Sequence, residues 1–160
     1  MMIREVVKDD LLRIMEIERA GFSIEEAASE QAMAERIQMI RDSFLVAEHE
    51  HEVVGFIVGN VMSKRYITDD QFETLVENPQ TGGIQSILSL AVDPAYRKLG
   101  VGKVLLEQLE QTAKTQKREA ISLTCLDHLI AYYEKRGYVN EGVSTSQHAN
   151  ETWFNLVKAL

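Results

Sequence analysis

The chain has 160 residues, of which 45% are hydrophobic and 26% charged, with only 2 prolines, so we expect one globular domain and exclude a disordered chain. The formal net charge is -8, and no run of Lys or Arg supplies the basic surface that nucleic-acid binding requires. We therefore expect no nucleic-acid partner.

The single cysteine, Cys125, excludes a disulfide within the chain and favours a reducing compartment. The first residues lack the apolar core of a signal peptide, and no stretch approaches the roughly 18 apolar residues of a membrane span. No spacing of Cys and His predicts a zinc site. These observations predict a cytoplasmic protein with no membrane partner and no metal, either a monomer or a homodimer.

The chain opens with a short strand candidate at residues 3–7, followed by a helix over residues 8–21 with apolar residues at helical spacing. Ser23 and Glu26 have the spacing of a capping box. They predict that a second helix begins there and continues to about residue 40.

Two strand candidates, residues 44–48 and 53–61, are joined by a polar turn and predict a hairpin. The next segment, residues 63–83, is polar and lacks a clear strand, although Thr68 is placed to cap a short helix over residues 69–76. A long insertion in a compact domain is usually functional or mobile. We interpret it as a lid on the substrate side.

The most apolar strand candidate, residues 84–92, suits a central position in a sheet covered on both faces. A strongly amphipathic helix is predicted over residues 100–117, and another strand over residues 120–125. The remaining predicted elements are a helix over 127–136, capped by Asp127 and ended by Gly137, and strands over 138–142 and 152–157. Hairpins mixed with crossovers predict a mixed α/β domain rather than a regular doubly wound one.

The strongest chemical signal lies where the strand at residues 84–92 ends and a glycine-containing loop leads into a helix. Free N–H groups at a helix start bind anions, and Gly100 and Gly102 allow a phosphate close to the backbone. Three basic residues add positive charge there: Arg97, Lys98 and Lys103. The pattern predicts a pyrophosphate site, although a Gly-x-Gly at a helix start is also a common tight turn. The P-loop and dinucleotide fingerprints are both missing.

The run Arg97-Lys98-Leu99-Gly100-Val101-Gly102 resembles motif A of the GNAT acetyltransferase superfamily, Gln/Arg-x-x-Gly-x-Gly/Ala. Residues 132–138, a tyrosine-containing helix closed by glycine and an aromatic residue, resemble a second motif of that superfamily. The order of elements also matches over nearly the whole chain. Within the superfamily, residues 22–28, 90–103 and 123–127 with Tyr133 are most similar to the arylalkylamine (serotonin-type) N-acetyltransferases and their bacterial relatives.

This resemblance implies a mixed, splayed central sheet of about six to seven strands flanked by about four helices. It implies transfer of an acetyl group from acetyl-CoA, bound between strands 84–92 and 120–125, to a primary amine in a ternary complex. Tyr133 matches the tyrosine that protonates the departing thiolate, a role that suits a phenol of reference pKa about 10. The residues expected to bind the coenzyme are Leu90, Ala91, Val92, Arg97, Lys98, Leu99, Gly100, Val101, Gly102 and Lys103.

The acceptor and the proton acceptor stay open at this point. The arylalkylamine group uses two histidines near the positions of Ser86 and Leu88, and this chain has neither. Ordered water and three carboxylates are candidate bases: Glu18, Glu25 and Glu26. The residues expected to contact substrate are Phe22, Glu25 and Glu26. A small arylalkyl or polyamine-like amine and a protein N-terminus or lysine all fit as acceptors.

Two alternatives follow from individual residues. The missing histidines favour a non-catalytic acyl-CoA-binding or sensing module, whereas Tyr133 favours an enzyme. Cys125 would allow a ping-pong route through an acetyl-cysteine, although a lone cysteine in a buried strand usually serves packing. Trp153 either lines a pocket or belongs to the core.

Overall fold

The structure is a computed structural model that describes residues 1–72 and 75–160. Within these residues the chain forms nine strands and four α-helices. In chain order they are β1 (Met2–Glu5), α1 (Leu11–Gly21), α2 (Glu30–Met39), β2 (Phe44–His49), β3 (Glu52–Val58), β4 (Val61–Met62), β5 (Ile84–Ile87), β6 (Ser89–Val92), α3 (Val101–Thr115), β7 (Ala120–Cys125), α4 (Ile130–Glu134), β8 (Val139–Val143) and β9 (Phe154–Ala159).

The strands form two sheets, which confirms the mixed α/β fold. One sheet has the order β1-β2-β3-β6 and is antiparallel throughout, while the other has the order β4-β5-β7-β9-β8 with a parallel pair at β5 and β7. Helix α3 packs an apolar stripe onto a core shared by both sheets, whereas α1 and α2 cover the opposite face of the first sheet.

The number of strands exceeds the prediction because two predicted strands are each broken and shared between the sheets. Residues 84–92 form β5 in one sheet and β6 in the other, with Leu88 between them. Residues 53–61 likewise divide into β3 and β4 around Gly59 and Asn60. At this crossing, a Cβ atom added to Gly59 would lie 1.8 Å from the carbonyl oxygen of Ser86. Two backbones therefore touch where the sheets separate.

We expect Gly59→Ala to lower the free energy of unfolding by about 3 kcal/mol or more, because the methyl group overlaps backbone that cannot move aside. Urea titration followed by circular dichroism measures the change. Gly21→Ala is the matched control, since its added Cβ meets only ordinary contacts, the nearest at 3.6 Å. A loss in Gly59→Ala no larger than in the control would contradict the expectation.

The prediction that the second helix begins at Ser23 is wrong, although the capping-box contacts exist. The N–H of Ser23 donates to Glu26 Oε1 at 3.1 Å, and the N–H of Glu26 donates to Ser23 Oγ at 3.2 Å. They close only a turn, because the N–H of Ala28 donates to the Glu18 carboxylate instead of continuing a helix. Helix α2 begins at Glu30, capped by the hydroxyl of Ser29.

Two other helices are shorter in the structure than predicted from the sequence. The predicted helix over residues 69–76 is a 3-10 turn at Asp69–Phe72, and residues 73 and 74 lie outside the described residues. The predicted helix over 127–136 is a 3-10 turn at Asp127–Leu129 followed by α4, without a side-chain cap from Asp127. Gly137 ends it with a φ of +92°, as predicted. In the described part of the chain no helix combines the length and apolarity needed to cross a membrane.

Candidate active site

The two sheets separate beyond the last paired residues of β5 and β7, Ile87 and Leu123. From there β6 turns to pair with β3, while β7 continues alongside β9. The gap between β6 and the end of β7 opens into a cleft of about 550 Å³, here called the outer cleft. Its walls are β6, the loop that precedes α3, the first turn of α3, helix α4 and Trp153.

Strand β6 has one unpaired edge, which faces the outer cleft. The N–H of Asp93 donates to the carbonyl of Val54 in β3 at 2.8 Å, and the carbonyl of Ala91 also faces β3, near Gly55. Because peptide groups alternate in direction along an antiparallel strand, those of Leu90 and Val92 point away from β3. Of the three predicted backbone contacts, Leu90 and Val92 therefore direct peptide groups to the cleft, whereas the carbonyl of Ala91 faces β3.

The loop between β6 and α3 brings N–H groups and positive charge to the same cleft. Lys98 and Gly100 have φ angles of +70° and +79°, and α3 begins immediately after Gly100 with no side chain capping it. The N–H groups of the first turn are thus open to the cleft. A Cβ atom added to Gly102 would lie 3.0 Å from the hydroxyl of Tyr132. The charged side chains at this wall are Arg97, Lys98, Lys103 and Arg136.

Tyr133 lies at the inner end of the outer cleft and is only 7% exposed. Its ring is held edge-on by Tyr132 and Tyr138, with ring centroids 5.1 and 5.6 Å away. Burial raises the pKa of Tyr133 above that of a free phenol, so the hydroxyl keeps its proton at neutral pH. The guanidinium of Arg136 packs on the Tyr132 ring, 3.7 Å from its centroid.

A second space, here called the inner cavity, adjoins the outer cleft at Tyr133. It has a volume of about 90 Å³ and lies between the β5–β6 junction and the end of β7. Its ring-bearing lining residues are Phe22, Phe72, Tyr133, His148 and Trp153, and its carboxylates are Glu18 and Glu26. The residues that line both spaces, and so lie between them, are Phe22, Glu26, Leu90, Leu129, Tyr133 and Trp153.

One wall of the inner cavity comes from a turn that the sequence did not indicate. The ring of His148 stacks on Phe72 with centroids 5.7 Å apart, and its Nε2 lies 3.2 Å from the carbonyl oxygen of Glu26. The indole N–H of Trp153 donates to the carbonyl of His148 at 2.9 Å. Phe72 and His148 are far apart in sequence and carry no motif, so only the tertiary structure shows that they meet.

Among the residues predicted to contact substrate, Phe22 and Glu26 line both spaces. Glu25 is exposed and lines neither space. Leu99, predicted as part of the coenzyme motif, is 67% exposed, and its side chain also lies outside both linings. Glu18 and Ser89 lie against the inner cavity, and only Glu18 was among the predicted candidates.

We expect Cys125→Ala to keep kcat/KM within about fivefold of the wild type, because the thiol is a poor nucleophile. Cys125 is 3% exposed, and burial raises the pKa of its thiol to about 12, which leaves almost no thiolate at neutral pH. Intact-protein mass spectrometry after incubation with acetyl-CoA alone provides the second readout. Acetylation of the wild-type protein that is absent in Cys125→Ala would support the ping-pong route through an acetyl-cysteine.

Metal coordination is not indicated by the side chains described. Within residues 1–72 and 75–160, no three His, Cys, Asp or Glu side chains cluster in a way that would hold a metal ion.

Comparison with protein families assigns the class. The sequence profile of the acetyltransferase (GNAT) family matches residues 11–138, and the chain belongs to that family. The matched region contains β6, the loop to α3 and Tyr133, which form the walls of the outer cleft. Comparison with curated proteins finds no significant match.

Solved structures with this fold are similar over nearly their whole length. Ard1 from Thermoplasma volcanium is 21% identical with a TM-score of 0.77, covering 99% of this chain and 97% of that one. The GphF GNAT-like decarboxylase in complex with isobutyryl-CoA is 18% identical, with a TM-score of 0.86 and 99% of each chain covered. Naa50 from Arabidopsis thaliana, in complex with the bisubstrate analogue CoA-Ac-MVNAL, is 16% identical with a TM-score of 0.76, covering 99% and 98%. The narrower likeness to arylalkylamine N-acetyltransferases is not confirmed by these comparisons.

Proposed function

We propose that this protein transfers an acetyl group from acetyl-CoA to a primary amine, by direct attack of the amine within a ternary complex. The observation that carries the proposal is the separation of β6 from β7. It places an unpaired strand edge, an open helix start and a buried tyrosine around the outer cleft. Membership of the acetyltransferase (GNAT) family supports the same reaction class.

Acetyl-CoA is proposed to bind along the outer cleft. The peptide groups of Leu90 and the N–H of Val92 are proposed to pair with the amides of the pantetheine arm, in the manner of strand addition. The carbonyl of Val92 accepts a hydrogen bond from Arg97 Nε at 3.3 Å, which holds that side chain beside the strand edge. The N–H groups of residues 98–103 suit the pyrophosphate, because a helix start attracts anions and basic side chains surround it. Gly102 leaves room at the point where a side chain would meet Tyr132.

Tyr133 is proposed to protonate the leaving group. As the C–N bond forms and the C–S bond breaks, the sulfur gains negative charge, and the Tyr133 hydroxyl supplies a proton to it. The peptide N–H of Leu90 is proposed to stabilise the charge that develops on the carbonyl oxygen. Leu90 and Tyr133 both line the outer cleft and the inner cavity, which supports a thioester placed between them.

The acceptor amine is proposed to enter the inner cavity. Its walls combine aromatic rings with the carboxylates of Glu18 and Glu26, a lining that suits a cationic amine carrying an apolar group. The bisubstrate analogue bound to the Arabidopsis protein contains a peptide, so a peptide N-terminus belongs in the acceptor panel beside arylalkylamines and polyamines.

The segment of residues 63–83 is proposed to act as a lid on this cavity. It supplies Phe72 to the wall, and side-chain contacts tie it to the region around β8. Arg65 and Tyr66 both donate to the carboxylate of Glu141 at 2.7 Å. Nearby, the hydroxyl of Ser146 donates to Asp69 at 2.5 Å.

Turnover with a panel of amines tests the proposed function. Purified protein is incubated with acetyl-CoA and each amine, thiol release is followed, and products are identified by mass spectrometry. An N-acetylated product supports the proposal. Acetyl-CoA binding by calorimetry without turnover of any amine would favour the non-catalytic acyl-CoA-binding alternative. Because one similar structure is a GNAT-like decarboxylase, CO₂ release from malonyl-CoA is measured in parallel, and decarboxylation without amine acetylation would overturn the proposal.

A further inference from the structure

A buried carboxylate lies at the wall of the inner cavity, where the amine is proposed to enter. Glu18, on α1, is 2% exposed. Its Oε1 accepts a hydrogen bond from the hydroxyl of Ser89 at 2.6 Å, and its Oε2 accepts one from the N–H of Ala28 at 2.8 Å. Glu18 and Ser89 both line the cavity. We propose that Glu18 is the proton acceptor for the incoming amine, and that the Ser89 hydroxyl carries the proton to it.

This inference rests on the proposed function. It assigns the proton acceptor, which could not be assigned from the sequence because the two histidines are missing. Ser89 directly precedes Leu90, whose peptide group is proposed to contact the thioester carbonyl. Tyr133 lines the same cavity as Ser89 and Glu18. An amine nitrogen in that cavity therefore has a hydroxyl linked to a carboxylate, the reacting carbonyl and the leaving-group proton donor within one small space.

A buried cation lies within electrostatic reach of Glu18. Arg36, on α2, is 2% exposed, and the negative charge of Glu18 opposes the lowering of its pKa by burial. The Nη1 atom of Arg36 finds no hydrogen-bond partner among the residues that the structure describes, and Glu18 is the carboxylate whose charge acts on this guanidinium. The other titratable groups that face the cavity are Glu26 before α2, Cys125 on β7, Tyr133 on α4 and His148 before β9.

The other two carboxylates predicted as bases are less suitable. Glu25 is exposed and lies outside the cavity lining. Glu26 lines the cavity, but its Oε1 already accepts the N–H of Ser23 at 3.1 Å, and hydrogen bonding to Glu151 holds its pKa below the usual value. A carboxylate with a lowered pKa is a weaker base. Glu18, by contrast, is linked to the cavity through a hydroxyl that can both accept and donate a proton.

The proposed proton transfers balance as follows for one turnover. The ammonium form of the acceptor gives one proton to Ser89 Oγ as Ser89 gives its own proton to Glu18 Oε1, which leaves a neutral amine. The amine nitrogen then forms the C–N bond, the C–S bond breaks, and Tyr133 protonates the sulfur. The phenolate of Tyr133 regains a proton from the new amide nitrogen. The proton on Glu18 leaves to solvent with the product, so one proton is released for each ammonium consumed.

The test uses Glu18→Gln, Ser89→Ala and Ser89→Thr, with Glu35→Gln, an exposed carboxylate on α2, as the control. With an amine that is protonated at the assay pH, we expect kcat/KM to fall by about 10²- to 10³-fold in Glu18→Gln and Ser89→Ala. Ser89→Thr, which keeps a hydroxyl, should recover most of the activity. The affinity for acetyl-CoA, measured by calorimetry, should stay unchanged in all variants.

An acceptor that is already neutral distinguishes a base from a structural residue. With hydroxylamine as acceptor, the loss in Glu18→Gln should shrink to less than about tenfold, because no proton has to be removed before attack. For the protonated amine, kcat/KM of this variant should rise with pH as the free amine becomes abundant. Equal losses for both acceptors, or equal activity in Ser89→Ala and Ser89→Thr, would overturn the inference.

Three outcomes can be distinguished: a variant that does not fold, failure of the proposed function and failure of the proton relay alone. Should Glu18→Gln fail to fold, as judged by circular dichroism, the pair Ser89→Ala and Ser89→Thr decides the matter alone. If the wild type acetylates no amine, the proposed function fails. If the wild type acetylates amines and all variants match it, only the relay fails.

Discussion

Gly100→Glu is expected to abolish acetyl-CoA binding, raising Kd by at least about 100-fold, which corresponds to about 2.7 kcal/mol. A carboxylate at this position would lie at the open start of α3, beside the N–H groups proposed to hold the pyrophosphate. It would repel the phosphates and compete for the same donors. A Cβ atom at Gly100 meets nothing within 4 Å, so the effect does not depend on a clash with the protein.

Calorimetric titration with acetyl-CoA measures this loss, and Gly142→Glu is the matched control. Gly142 also has a left-handed φ, +104°, with open space around its missing side chain, but it lies on β8 and lines neither the cleft nor the cavity. The control therefore shares the conformational cost and the added charge. Gly100→Glu/Gly102→Glu should lose binding at least as completely. Undiminished binding in that double variant would remove the proposed pyrophosphate site.

Tyr133→Phe is expected to lower kcat by about 10²- to 10³-fold while leaving the Kd for acetyl-CoA unchanged. The ring stays in its edge-on packing, and only the proton donor to sulfur is lost. Because burial raises the pKa of Tyr133, the wild-type rate should not fall through ionisation of this phenol below about pH 10, the ordinary phenol pKa. The substitution removes one hydroxyl and keeps the packed ring, so stability should change little.

Steady-state kinetics across pH, together with thermal unfolding, test this expectation against Tyr138→Phe. Tyr138 is also buried, at 3% exposed, and packs edge-on against Tyr133. Its hydroxyl has no partner among the described residues, but Tyr138 lines neither the cleft nor the cavity. The control thus removes a similar atom from a similar environment. Equal kinetics in the two variants would show that Tyr133 is a packing residue.

Local signals predicted the parts of the fold that depend on near neighbours. The amphipathic pattern of residues 100–117 appears as α3, and residues of both motifs line the outer cleft. The strand at 84–92 was predicted in the right place but as one piece. The strand divides at Leu88, next to the point where the backbone of Ser86 and Ile87 touches Gly59. The nine residues of the strand alone cannot show a contact with a residue so distant in sequence.

The inner cavity was less accessible to prediction, for a physical reason. Its walls come from six separate parts of the chain: α1 with the turn after it, the 3-10 turn at Phe72, the β5–β6 junction, the end of β7, the region of α4 and the turn before β9. Ser23 and Glu26 illustrate the difficulty, since their local contacts formed as predicted while a distant carboxylate, Glu18, ended the helix by taking the N–H of Ala28. Tertiary hydrogen bonds of this kind override local preference.

The unpaired edge of β6 also bears on how the protein avoids self-association. A free strand edge usually invites pairing with another copy and leads to aggregation. Here the peptide groups of Leu90 and Val92 point into a recess bounded by α4 and Trp153, not outward from the surface. A slender, flexible molecule can reach them, whereas the strand of another folded protein would be blocked by these walls. The recess thus leaves the unpaired peptide groups accessible to a narrow ligand but not to a strand of a neighbouring protein.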